Sequence, residues 1–169
     1  MAVTAVDTNV DDLTMTLQAE FDAPVERVWE VWADPRQLER WWGPPSYPAT
    51  VVDHDLTPGG RVTYFMTGPD GATYHGWWTV MAADAPGLLD LEDGFAGDDG
   101  EPDDSMPTTA VAVRISASSS NVTTMSITTT FRSVDDMEKL IAMGHDEGMT
   151  LALGQIDAIL ADQASMLDS

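Results

Sequence analysis

The chain has 169 residues, no cysteine, and 7 Lys+Arg against 29 Asp+Glu, giving a formal charge of −22 and a pI near 4.1. Its few basic residues are scattered singly, which excludes a nucleic-acid surface, because neutralising phosphates needs clustered Lys and Arg; the missing cysteines exclude disulfides, thiolate metal sites and cysteine nucleophiles. A hydrophobic content of 43% at this length predicts one folded domain with a core large enough to hold a ligand cavity.

The first twelve residues carry neither a basic residue nor an apolar run, so no signal or transit peptide is expected and the reading places the protein in the cytoplasm. The longest uncharged stretch, between Arg114 and Arg132, has Ser and Thr at alternate positions, and no membrane insertion is expected. The acids are 21 Asp and 8 Glu beside a single lysine, Lys139, a solvated surface of the kind found in salty cytoplasm or high-GC genomes. The expected organisation is a flexible N-terminus over 1–10, one domain over 11–163 and a tail over 164–169.

Leu13, Met15, Leu17, Ala19 and Phe21 alternate with polar residues, the period of a half-buried strand. Pro24, with Glu26 near the positive end of the helix dipole, opens a short helix whose buried stripe is Val25, Val28, Trp29 and Trp32. Asp34-Pro35 starts a second short helix, Asp34 as its cap, ending at Trp41-Trp42-Gly43-Pro44-Pro45. Strands follow over 47–56, 61–67, 72–82 and 88–92, joined by short turns rich in Gly and Pro, so the sheet is expected to be an antiparallel meander. Between Asp90 and Asp104 there are eight acids and no base, which reads as a solvated loop. Strands over 109–117 and 122–131 pair through Ser118-Ser119-Ser120-Asn121. From Ser133, with Asp136 three positions on, apolar residues recur at helical spacing to about Asp162, predicting one long helix of roughly 40 Å. Seven strands in this order cannot form a parallel doubly wound sheet. The expected class is α+β, with the last helix lying in a curved antiparallel sheet.

This order, with Phe21-Asp22-Ala23-Pro24-Val25-Glu26-Arg27-Val28-Trp29, Trp41-Trp42-Gly43-Pro44 and Pro58-Gly59-Gly60, resembles the START-like (SRPBCC, Bet v-like) helix-grip superfamily. Within it, Gly76-Trp77-Trp78, Asp93-Gly94-Phe95 and Met143-Gly144-His145-Asp146-Glu147-Gly148-Met149 are similar to a bacterial subgroup of the branch named after the activator of the heat-shock-protein ATPase. The resemblance implies a deep apolar cavity between sheet and last helix, holding a lipid, polyketide or similar small apolar molecule. It also implies two alternatives: a cyclase, dehydratase or hydrolase in the same cavity, or a stress-related regulator touching a chaperone through its surface. Fold alone does not choose among them.

The residues proposed to line that cavity are Trp41, Tyr64, His75, Trp77, Met125, Leu140, Gly144, Glu147, Gly148 and Leu151. Gly144 and Gly148, four apart on one helix face, each cost about 1 kcal/mol against alanine, so they either leave room for a ligand, permit close packing, or allow a kink. Glu147 is a polar anchor or general base in one reading and plain surface in the other; His145 is assigned to the surface. Trp77 and Trp78 point to opposite faces of their strand. His75, Trp77 and Thr79 are assigned to the concave face, which would leave Trp78 on the convex face, where an exposed ring would favour a homodimer. Tyr64 and Arg61 are placed to offer a hydroxyl and a guanidinium to a bound acid, or Arg61 to a surface carboxylate. His54 between Asp53 and Asp55 is split across strand faces, and the loop Asp98-Asp99-Gly100-Glu101-Pro102-Asp103-Asp104 lacks EF-hand spacing, so no metal is expected. The chain shows no phosphate loop, dinucleotide glycine signature or serine elbow, and no cofactor is expected. Proton transfer, in the enzymatic alternative, falls to Glu147, His75 or Tyr64.

Overall fold

The computed structural model describes residues 3–168, and side chains as far as residue 162. Eight antiparallel strands form one sheet in the order β1-β2-β8-β7-β6-β5-β4-β3: β1 (Val3–Asn9), β2 (Thr14–Phe21), β3 (Ala49–His54), β4 (Arg61–Thr67), β5 (Thr73–Asp84), β6 (Leu88–Ala96), β7 (Thr109–Ser119) and β8 (Val122–Phe131). Helices α1 (Val25–Ala33) and α2 (Pro35–Trp41) follow β2, and α3 (Val134–Ala142), α4 (His145–Leu153) and α5 (Ile156–Asp168) close the chain. This is the expected α+β helix-grip architecture, with one strand more than expected and three helices in place of one.

The added strand lies where a flexible N-terminus was expected. Residues 3–9 pair with β2 from Val3↔Ala19 to Asn9↔Thr14. All of β1 but Val3 is exposed, so its side chains carry no apolar alternation; main-chain pairing alone defines it. At the other end α5 runs to Asp168, past the expected end near 162.

The long helix is broken because helical periodicity and helical backbone are separate conditions. Gly144 has φ +89°, a left-handed conformation that L side chains rarely adopt, and it ends α3 while starting α4. A second break comes at Gly154, between α4 and α5. Of the three readings of Gly144, the chain uses the turn. Replacing it with alanine is expected to destabilise the fold by about 1–2 kcal/mol, read as a lowered urea midpoint.

The expected caps do form. Asp34 accepts the Arg36 amide at 2.9 Å, and Ser133 accepts the Asp136 amide at 3.1 Å. The core is one apolar cluster on the gripped face: Met15, Leu17 and Phe21 from β2, Leu89 and Leu91 from β6, Val111 and Val113 from β7, Met125 and Ile127 from β8, under Val28, Val31 and Trp32 of α1 and Ile156 and Ile159 of α5. Trp29, assigned to the buried stripe, is only partly buried. Gln155 ties the α4–α5 junction to the end of α2, donating to the carbonyls of Gly43 at 2.7 Å and Trp41 at 3.3 Å. The ion pairs Arg36–Glu39, Arg40–Asp162, Arg114–Asp90 and Arg132–Glu92 all keep substantial exposure, so each is worth at most about 1 kcal/mol. His54, central to the discarded metal cluster, bonds the Trp32 carbonyl at 2.9 Å instead.

Candidate functional site

The face assignment in β5 is the reverse of the one expected. Trp78 is fully buried on the gripped face, with ring centroids 4.7 Å from Trp42 and 5.9 Å from Trp32. Trp77 therefore lies on the convex face, yet it is only 7% exposed. Its ring lies across Gly94 of β6, where an added Cβ would fall 2.5 Å from it, and its indole N–H donates to the Phe95 carbonyl at 3.0 Å. A cross-strand glycine thus seats the ring flat on the sheet, and the exposed aromatic patch that favoured a homodimer is not formed. The reason is local: Gly76, Trp77's neighbour in sequence, does the same for Tyr64 on the other face, where an added Cβ would fall 2.4 Å from the Tyr64 ring.

Gly76 admits the ring that anchors the site. Tyr64 of β4 reaches over Gly76, its cross-strand partner, and its hydroxyl donates to Asp93 of β6 at 3.3 Å. Asp93 belongs to the expected acidic loop, but β6 extends to Ala96 and continues the alternation Leu89, Leu91, Asp93, Phe95 on the gripped face. The carboxyl thereby enters a pocket of about 240 Å³ between the sheet and α3–α4. Trp42 and Pro44 form one wall, Tyr64, Met66, Asp93 and Phe95 the floor, and Leu140, Met143, Gly144, His145, Gly148 and Met149 the roof. A recess of about 50 Å³ continues beside it, sharing Tyr64, Asp93, Phe95, Leu140 and His145 and reaching Pro107 and Thr109.

Electrostatics in this space follow from desolvation. Burial pushes the Asp93 carboxyl up to about 7, against the stabilising hydrogen bonds from the Tyr64 hydroxyl and the Gly94 amide. Burial, then the neighbouring Asp93 charge, hold the Tyr64 phenol well above its ordinary value, while the indole N–H groups of Trp42 and Trp78 act the other way. Burial also lowers the His145 imidazole, opposed by Asp146, which favours the neutral ring. Its Nε2 and the indole nitrogens of Trp42 and Trp78 are buried without a hydrogen-bond partner among the described residues. Unpaired buried polar atoms are uncommon and costly; two of these three belong to residues lining the pocket.

Of the ten proposed lining residues, Tyr64, Leu140, Gly144 and Gly148 line this pocket. Trp41 and Met125 are in solid core instead: the Trp41 indole N–H donates to the Val31 carbonyl at 2.8 Å, and Met125 sulfur accepts from Trp32 at 3.3 Å. His75 and Trp77 are on the convex face, where the His75 ring lies 5.4 Å from Phe65. Glu147 and Leu151 point outward from α4, Leu151 being 56% exposed. The break at Gly144 re-phases the helix, which turns those two away and brings His145, assigned to the surface, inward. Arg61 is on the convex side with His75, beside the Asp98–Glu101 turn, and offers nothing to the pocket. No group of three or more His, Asp or Glu side chains able to hold a metal occurs among the described residues.

Gly148 keeps space at the roof: an added Cβ would meet only Pro44, at an ordinary 3.7 Å. Gly148→Ala is therefore expected to leave the fold intact, to gain up to about 1 kcal/mol of helix stability, and to narrow the pocket. Urea melts beside those of Gly144→Ala check this, since the two glycines should respond with opposite signs.

No helix among the described residues is long and apolar enough to cross a membrane. The chain is 48% identical to the crystal structure of protein Ms6760 from Mycobacterium smegmatis, covering 94% of this chain and 96% of that one, with a TM-score of 0.86. It is equally 48% identical to the solution structure of a protein from Arthrobacter aurescens, over 95% of this chain and 92% of that one, with a TM-score of 0.90. A protein from Staphylococcus epidermidis follows at 25% identity, 95% coverage of both chains and a TM-score of 0.81. A search of curated proteins gives no match. The family model for the activator of Hsp90 ATPase homolog 1-like proteins matches residues 22–161, a family whose members point to ligand-binding or co-chaperone-like roles. The match takes in both short helices, the pocket, α3, α4 and the start of α5, and the chain belongs to this family.

Proposed function

We propose that the protein binds a small, largely apolar molecule bearing one polar group, in the pocket between the sheet and α3–α4. The observation that carries this reading is the convergence of Tyr64, Asp93 and His145 inside a space otherwise walled by Trp, Phe, Met, Leu and Pro. Ligand sites commonly combine an apolar lining with a few converging polar groups. At about 240 Å³ the pocket holds the volume of roughly eight waters, below the usual range for drug-sized ligands. That size favours a single ring or a short chain over a sterol or a long acyl group.

Native mass spectrometry of the gently desalted protein is expected to show a small-molecule adduct, absent from Gly148→Leu, which fills the mouth. Three lining residues are methionines, Met66, Met143 and Met149, so their methyl NMR signals report occupancy directly. No adduct, together with unmoved methionine signals across a screen of small amphiphiles, would overturn the reading.

A second reading, acid–base catalysis in the same pocket, is favoured by one observation: a carboxyl that titrates near 7 and accepts from a tyrosine hydroxyl. An acid or base works best when its pKa lies near the working pH. Glu147 and His75 point away from the pocket, so proton transfer would fall to Asp93, with Tyr64 and His145 beside it. Turnover lost in Asp93→Asn with binding retained is the expected mark of this reading.

A further inference from the structure

The pocket-binding reading leaves the chemical class of the ligand open, and the lining residues narrow it. Among the described residues Asp93 is the only acid in the lining, and neither a lysine nor an arginine accompanies it. A buried carboxylate without a cation is costly. An anionic ligand would raise that cost, and in a chain of charge −22 the surrounding field opposes it as well. A cation would remove the cost. Trp42, Tyr64 and Phe95 line the same space, and aromatic rings can attract an ammonium group. His145 Nε2, buried without a hydrogen-bond partner among the described residues, is a free polar position there and accepts when the ring carries its proton on Nδ1.

We propose, building on that reading, that the pocket takes a small organic amine, its ammonium on Asp93 and its apolar body against Trp42 and Phe95. The titratable groups facing Asp93 are Tyr64 from β4 and His145 from α4; α3 contributes only Leu140 there, and β7 only Thr109. Tyr64 stays protonated throughout the neutral range, and burial favours the neutral form of His145. Ionisation of Asp93 is therefore the step that admits the amine, and affinity rises with pH through about 7.

Titrations of 2-phenylethylamine, 2-phenylethanol and phenylacetate, followed by the methionine methyl signals at raised salt, test this. The amine is expected to bind about tenfold or more tightly than the alcohol at pH 8, and to gain about tenfold between pH 6 and pH 8. Asp93→Asn should abolish both the preference and the pH response. Glu147→Gln, removing an exposed acid, should keep both, and His145→Gln should keep the rise with pH. If the alcohol or phenylacetate binds as tightly as the amine, the amine class is overturned while the pocket reading stands. If Asp93→Asn keeps the amine preference, the proposal is overturned likewise. If none of the three probes moves the methionine signals, the amine proposal is overturned, while the pocket reading falls only if the wider amphiphile screen and native mass spectrometry are silent too.

Discussion

Asp93→Asn is expected to make the protein more stable at pH 8, by roughly 2–3 kcal/mol, with the advantage shrinking toward pH 5. The sign follows from proton counting. The folded carboxyl keeps its proton up to about pH 7, whereas an unfolded aspartate loses it near 3.8. Between those values the folded chain binds more protons than the unfolded one, so wild-type stability falls as pH rises, and it levels off above 7. A carboxyl moved that far corresponds to about 4 kcal/mol; water reaching it through the pocket mouth screens part of this, hence the smaller figure. Asparagine has nearly the same shape and can still accept from the Tyr64 hydroxyl, so the variant removes the buried charge without opening a cavity. Thermal melts of both proteins from pH 5 to pH 8 check this. The variant should melt roughly 5–10 °C higher at pH 8. Parallel curves, offset equally at every pH, would mean that Asp93 carries no charge cost.

The second large effect is expected at Trp42. Its ring centroid lies 5.5 Å from Trp41, 4.7 Å from Trp78, 6.0 Å from Trp32 and 5.9 Å from Tyr64, and the residue is 6% exposed while lining the pocket. Trp42→Ala removes the centre of that cluster and joins the vacated space to the existing cavity. The expected loss is about 3–5 kcal/mol, read as a lowered urea midpoint with an unchanged slope. Trp29→Ala, at the edge of the core, should lose clearly less. The enlarged pocket should also accept apolar probes too bulky for the wild type, which methionine methyl shifts would report. A Trp42→Ala protein as stable as wild type would show that the aromatic cluster is not what supports the pocket wall.

The amino-acid pattern already contained the strands β2, β3, β4, β5, β7 and β8 and the two short helices after β2, because alternation and helix-start signals are local and survive in any context; the family was legible in motifs such as Trp41-Trp42-Gly43-Pro44. It did not contain β1, whose side chains are nearly all exposed. Nor did it contain the end of β6, because the three acids Asp90, Glu92 and Asp93 look like solvent when counted rather than phased. Reading Leu89, Leu91, Asp93 and Phe95 by twos would have placed that carboxyl with the core. His145 gave a weaker signal, the left-handed Gly144 before it, and nothing local shows that a glycine will take that conformation.

By itself, then, the sequence determined the class of fold, the curved sheet with helices on one face, and the net charge of −22. Those follow from periodicity and composition, which neighbouring residues set. The tertiary structure alone decided which tryptophan faces the core, because Gly76 and Gly94, on β5 and β6, make room for Tyr64 and Trp77 on opposite sides of the sheet. It alone brought Tyr64, Asp93 and His145, spread over 82 positions of chain from 64 to 145, into one pocket. Burial there is a property of the assembled surroundings, and it is burial that turns an ordinary surface aspartate into a carboxyl poised near neutrality.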